Sequence, residues 1–109
     1  MDLSGKQILV TGGAGLIGSA LADRLVAENR VVVADDLSNG VRESVPHDVT
    51  LVEADLTDPA AVADVLTADV DVVFHLAAAD KYVDTDQPRK QFEANGRMTY
   101  NLLERMDAV

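Results

Sequence analysis

Three glycines, Gly12, Gly15 and Gly18, stand three residues apart directly after the apolar run Ile8-Leu9-Val10, and two carboxylates, Asp35 and Asp36, close the next apolar run about twenty residues later. Neither group suggests a nucleophile. A glycine-rich turn that opens a helix exposes backbone N–H groups at the positive end of the helix dipole, which favours an anion such as a pyrophosphate. A carboxylate at the tip of the neighbouring strand accepts hydrogen bonds from sugar hydroxyls and repels an extra phosphate. Gly12 and Gly13 are expected to supply dihedrals that other residues reach only with strain. Gly15 is expected to let backbone approach a ligand, and Gly18 to let the helix lie close on the strand. The chemistry implied is binding of a diphosphate that carries a ribose.

The elements that must position these groups alternate strand and helix. Lys6 to Thr11 reads as a strand buried on both faces, because its apolar residues run without alternation. In the helix that follows, Ile17, Leu21 and Leu25 share one face with Gly18 and Ala22 beside them, Asp23 lies opposite, and Asn29 is the expected C-terminal cap. Val31 to Ala34 forms a second strand and Val49 to Glu53 a third, separated by a polar loop with an Asn39-Gly40 turn and Pro46. Thr57-Asp58-Pro59 opens a helix with Val62, Val65 and Leu66 inward. Asp71 to His75 is a fourth strand, with Val72, Val73 and Phe74 expected to be buried. Gln87-Pro88 starts a last helix. At 100° per residue it puts Phe92, Asn95, Gly96, Thr99, Leu102, Leu103 and Met106 on one side, read as the buried face, and Arg89, Glu93, Arg97, Asn101 and Arg105 on the other. Asn95 on that face requires a partner. Such alternation predicts an α/β, Rossmann-like doubly wound parallel sheet.

Gly13-x-Gly15-x-x-Gly18 satisfies the general dinucleotide pattern, and Thr11-Gly12-x-x-Gly15-x-x-Gly18 resembles the cofactor fingerprint of the short-chain dehydrogenase/reductase superfamily. The wording Thr-Gly-Gly-Ala-Gly-Leu-Ile-Gly-Ser resembles its extended branch, the NAD-dependent epimerases and dehydratases of the UDP-glucose 4-epimerase type. This resemblance implies strand order 3-2-1-4 and NAD held by Gly12, Gly15, Leu16, Ile17 and Gly18 at the turn. It also implies ribose contacts from Asp35 and the segment Asp36, Ser38, Asn39 and Gly40, and an adenine contact near Asp55 and Leu56. For Asp36, Ser38, Asn39 and Asp55, a solvated turn or a loop cap is the alternative reading. His75-Leu76-Ala77-Ala78 resembles the family motif at the fourth strand, where Leu76, Ala77 and Ala78 leave room for the cofactor; His75 is read as a packed strand-end residue. Asn95 to Glu104 resembles a family helix whose first Asn lies near the nicotinamide, with Gly96 and Met98 in place of the family's Val and Gly. NAD is favoured over NADP, since no Arg directly follows Asp35-Asp36 to receive a 2′-phosphate.

The family's hydride chemistry uses a tyrosine with a lysine four residues later. Here Tyr82 and Tyr100 are followed at that spacing by Asp86 and Glu104, which would raise a phenol pKa. No catalytic residue is therefore assigned. The resemblance places residues 1–109 as a partial, truncated NAD-binding domain, with the substrate domain absent and a nucleotide sugar as substrate only in a full-length parent. The alternatives are a stand-alone, non-catalytic NAD(H)-binding module and an oligomerising module. In a sheet of this order the fourth strand is an apolar edge, so strand 71–76 or the apolar face of helix 88–106 is a candidate for pairing with another copy.

Composition bounds the rest. A chain of 109 residues is one domain, able to bury roughly two thirds of its unfolded surface. A net charge of −10 argues against nucleic acid, whose binding depends on basic side chains. The acid excess fits either a surface adapted to high salt or ordinary solubility. No run approaches a membrane span and no signal-peptide layout is present, so a cytoplasmic setting is expected. Cysteine is absent, and neither His47 nor His75 has a spaced partner, so no metal site is expected.

Overall fold

A computed structural model describes residues 3–38, 40–79 and 87–109. Four parallel strands, β1 (Gln7–Thr11), β2 (Arg30–Asp35), β3 (Thr50–Glu53) and β4 (Val72–His75), lie in the order β3-β2-β1-β4. Helix α1 (Leu16–Leu25) follows β1, α2 (Pro59–Val65) follows β3, and α3 (Pro88–Ala108) comes last. Ile8 stands opposite Val31 on one side and Val72 on the other. This central placement explains the unbroken apolar run of β1: Ile8, Leu9, Val10 and Thr11 are fully buried, because both faces of the sheet are covered.

Side chains alternate between two cores. Ile8, Val10, Val31 and Val33 pack with Ala22 and Leu25 of α1, while Leu9 and Ala34 pack with Val62 and Val65 of α2 and Met98 and Leu102 of α3. Helix starts and stops follow local chemistry. The Asp58 carboxylate accepts the Ala60 N–H at 3.0 Å ahead of Pro59. Asn29 donates to the Leu25 carbonyl at 2.9 Å and accepts the Lys6 N–H at 3.0 Å, so the residue expected to cap α1 also fastens it to the start of β1.

Three sequence expectations need correction. In α1, Ile17 is not core: it is 75% exposed, and the buried positions are Gly18, Ala22 and Leu25. In β4, Val72, Val73 and Phe74 are only half-buried, since the strand is an edge and has a neighbour on one side only. In α3 the inward face is rotated from the one expected. Met98, Asn101 and Leu102 are buried, whereas Phe92 is 79% exposed, Leu103 60% and Met106 48%. The reason is polar. Asn101 donates to the Leu56 carbonyl at 2.9 Å and Arg105 donates from Nε to the Leu66 carbonyl at 2.8 Å. Both carbonyls end segments that no ladder continues, and a hydropathy stripe assigns no weight to side chains that satisfy them. The departures at Gly96 and Met98 are absorbed by the same rotation. Met98 fills the core and Gly96 faces open space.

Replacing Asn101 by Leu keeps the branching and the number of side-chain heavy atoms but leaves the Leu56 carbonyl without its donor. A loss of about 1–3 kcal/mol is expected, read as a lower urea midpoint; an unchanged midpoint would show that this amide contributes nothing.

Candidate cofactor site

A cavity lies at the carboxyl ends of the strands, where the strand order reverses between β1 and β4. Its volume is about 520 Å³, within the usual span for a small-molecule site. Gly12, Gly15, Leu16, Ile17 and Gly18 line it from the turn, and Asp35, Asp36, Ser38 and Gly40 from the segment after β2. Asp55 and Leu56 line it beyond β3, and Leu76, Ala77 and Ala78 beyond β4. Of the other residues singled out in the sequence, Asn39 lies outside the described residues. Asn95 stands behind the wall: its Oδ1 accepts the Ala79 N–H at 2.7 Å.

At the turn, Gly12 has φ +73°, a conformation costly for any side chain. Gly13 does not share it. A Cβ at Gly13 would lie 2.6 Å from the Val33 side chain, so the demand there is for space. Gly18 approaches the turn itself, where a Cβ would lie 2.3 Å from the Gly12 carbonyl oxygen. Helix α1 begins at Leu16 with no side-chain cap at Gly15 and no acid in its first turn. The first N–H to find a partner within the helix is that of Ser19, to Gly15 at 2.9 Å, so the amides before it face the cavity end of the dipole.

Asp35 is 8% exposed, and both its oxygens are engaged. Oδ2 accepts the Ala14 N–H at 2.9 Å and Oδ1 the Leu37 N–H at 2.7 Å. Each carboxylate oxygen keeps a further lone-pair direction, so these bonds orient the group without exhausting it as an acceptor. Leu37 is held at φ +60° by this bond. The chain then returns over the turn, with the Val41 N–H on the Ala14 carbonyl at 3.2 Å. Gly40 sits so close that a Cβ would lie 2.4 Å from the Ala14 carbonyl atoms. Asp36 accepts its own Ser38 N–H at 3.0 Å, and Asp55 accepts the Thr57 N–H at 3.0 Å and hydroxyl at 2.7 Å. Both therefore order their loops while lining the cavity.

Sequence reasoning missed the fourth wall. Lys90, Glu93, Ala94, Arg97 and Met98 of α3 line the cavity, as do Ala34, Ala54, Thr57 and Ala79. Lys90, Glu93, Ala94 and Arg97 recur at helical spacing, which is the signal that was available once the correct face was known. At the end of β4, Thr11 and His75 are joined at 2.7 Å between Oγ1 and Nδ1. Burial lowers the His75 pKa from its ordinary value of 6.5. Tyr100 is exposed and its phenol pKa is raised by its hydrogen bond to Glu104 and then by that residue's charge, the direction opposite to an activated phenol. Tyr82 lies outside the described residues.

A parallel sheet of order 3-2-1-4, with a glycine turn and a strand-tip carboxylate facing one cavity, defines a dinucleotide-type α/β domain. Residues 8–109 match the NAD dependent epimerase/dehydratase family, and the chain belongs to that family. It is 39% identical over 104 residues to a UDP-glucose 4-epimerase of Streptococcus mutans, covering 91% of this chain and 31% of the relative. An epimerase from Methanothermobacter thermautotrophicus superposes with a TM-score of 0.87 at 34% identity, over 98% of this chain and 33% of that one. The Bordetella bronchiseptica enzyme WbmF, solved in complex with NAD+, superposes with a TM-score of 0.81 at 34% identity, over 95% and 33%. The chain thus spans about a third of the length of the relatives it matches. Among the described residues no helix is long and apolar enough to cross a membrane.

Gly40→Ala places a methyl group against the Ala14–Gly15 peptide, backbone that cannot swing aside. A destabilisation of roughly 1–3 kcal/mol, the usual range for overpacking, is expected in urea unfolding. Wild-type stability would show that the segment after β2 is not seated on the turn.

Proposed function

We propose that residues 1–109 form the NAD-binding portion of a sugar-nucleotide epimerase or dehydratase. The observation that carries this reading is the bond between Asp35 Oδ2 and the Ala14 N–H, which sets the strand-tip carboxylate and the glycine turn side by side on one cavity. When bound, the nicotinamide supplies a hydride acceptor and donor. The chain's own residues bind and orient. Amides at the start of α1 receive the pyrophosphate, Asp35 accepts the adenosine ribose hydroxyls, and Asp55 and Leu56 border the adenine. The absent Cβ atoms at Gly12, Gly18 and Gly40 shape the cradle, since a side chain at any of them would meet backbone. Carboxylates at 35 and 36 disfavour a 2′-phosphate, which selects NAD over NADP. The substrate class is a UDP-sugar, by likeness to relatives named as UDP-glucose 4-epimerases. In a full-length parent, the sugar-binding segment and a Tyr-x-x-x-Lys pair would be supplied by further chain. A cytoplasmic setting is part of the same proposal.

A second reading, in which the chain associates with its own copies, is favoured by the apolar side chains that α3 leaves outward: Phe92, Leu103 and Met106. The β4 edge, strand 71–76, is a second candidate.

Calorimetric titration with NAD+ tests the first reading. Saturable binding below millimolar is expected, and Asp35→Asn should weaken it by about 1–3 kcal/mol, the scale of a hydrogen bond to a charged group. No saturable binding below millimolar would overturn it. Sedimentation at micromolar concentration tests the second reading: a species heavier than the monomer is expected, and monomer alone would remove it.

A further inference from the structure

The polar groups between β1, β4 and α3 form a single directed chain. The Thr11 hydroxyl oxygen is fully buried and accepts two backbone N–H groups, from Leu76 at 3.0 Å, an N–H shared with the Thr11 carbonyl at 3.1 Å, and from Ala77 at 3.2 Å. A hydroxyl oxygen has two acceptor positions and one proton to donate. Both positions are filled, and the proton has one acceptor within reach, His75 Nδ1 at 2.7 Å. If Nδ1 carried a hydrogen, Thr11 would receive a third donor and its own proton would be stranded in a buried site. His75 Nδ1 is therefore bare and Nε2 carries the hydrogen. Nε2 lies 3.2 Å from the Thr99 hydroxyl, whose own proton goes to the Asn95 carbonyl at 3.1 Å. Every donor in this chain has an acceptor, in one sense only.

One end of the chain, Thr11, holds the Ala77 N–H; at the other end the chain closes on the Asn95 carbonyl, and the same residue holds the Ala79 N–H with its separate side-chain Oδ1 at 2.7 Å. Leu76 to Ala79 line the cavity. We infer that His75 is a positioning residue for this wall, acting only as the neutral imidazole with hydrogen on Nε2, and that its protonation releases the Ala77 N–H from the Thr11 hydroxyl. That the wall faces a dinucleotide rests on the function proposed above; the imidazole assignment does not.

The groups that His75 faces are Thr11 of β1 and Thr99 of α3, neither of them charged. Among the described residues no Asp, Glu, Lys or Arg hydrogen-bonds or ion-pairs with it, and burial is the cause that lowers its pKa. The sign follows. A histidine whose folded pKa lies below 6.5 favours the fold fully above that value. The contribution is lost as pH falls from 6.5 through the depressed folded value.

Long-range nitrogen–proton NMR of the imidazoles, with amide spectra followed from pH 8 to pH 5, tests the inference. At pH 8 His75 is expected as the Nε2–H tautomer, and the Ala77 and Ala79 amides should shift together with its titration. An Nδ1–H tautomer, an even mixture, or amides indifferent to that titration would overturn the inference. Thr99 is exposed, so its variants are expected to fold. Thr99→Val should shift the tautomer balance and the Ala79 amide, and Thr99→Ser should restore both; a Thr99→Val spectrum identical to wild type would also overturn it. NAD+ titrated at pH 7.5 and at a pH below the His75 midpoint read from the NMR titration should bind several-fold more weakly at the lower pH. No NAD+ binding beside the expected imidazole spectrum would overturn the cofactor reading and confirm the tautomer.

Discussion

The site depends on one buried carboxylate that joins two pieces of backbone far apart in the chain. Asp35 ends β2 and holds Ala14 of the glycine turn with one oxygen and Leu37 of the following segment with the other. Both partners are backbone N–H groups that no strand or helix would otherwise satisfy, so their pairing is a condition of burying them. The positive φ of Leu37 belongs to the same arrangement. A leucine does not favour that conformation, and the Asp35 bond helps to hold it where it turns the chain back over Gly12–Gly15. Gly40 then settles against Ala14. The cradle is closed by protein contacts alone, which lowers the ordering cost when a ligand enters.

Much of this is legible in the amino-acid sequence. Gly12, Gly15, Gly18 and Asp35 could be assigned to one cavity because each residue type answers a local demand: a positive φ, a close approach, an acceptor at a strand tip. The order β3-β2-β1-β4 followed from alternation together with family resemblance, and the caps at Asp58 and Asn29 from side-chain chemistry. The orientation of α3 was not legible. Asn101 and Arg105 looked like solvent residues because hydropathy ranks a side chain by its own polarity. Their actual role depends on carbonyls at Leu56 and Leu66, thirty-nine to forty-five residues away in sequence. The same error hid Lys90, Glu93 and Arg97, which line the cavity because the helix is turned. Ile17 failed for a related reason. An apolar residue in the first turn of a helix that opens on a cavity lines that cavity and not the core.

Charge is distributed around the cavity unevenly. Asp35, Asp36 and Asp55 lie at the tips beyond β2 and β3, while the start of α1 carries no acid, and Lys90 and Arg97 stand on α3 with Glu93 between them. A ligand with hydroxyls at one end and phosphates in the middle matches that division, because the carboxylates accept from hydroxyls and would repel phosphate. The surface elsewhere does little to offset the net charge of −10. Arg42 and Glu53 form an ion pair at 3.9 Å with both side chains well exposed, and such a pair contributes little.

Helix α3 shows how few apolar contacts suffice when polar ones fix direction. On one flank Asn95 and Thr99 bond to Ala79 and His75 at the end of β4. On the other, Asn101 and Arg105 bond to carbonyls beyond β3 and at the end of α2. Met98 and Leu102, between the two flanks, supply the buried apolar area. Hydrogen bonds are directional where hydrophobic burial is not, so two flanks of polar bonds set the rotation of the helix about its axis. That rotation places Lys90, Glu93 and Arg97 on the cavity and leaves Phe92, Leu103 and Met106 outward. The wall of the site and the exposed apolar stripe are thus consequences of one setting of one helix. A change that rotates α3 must alter both together.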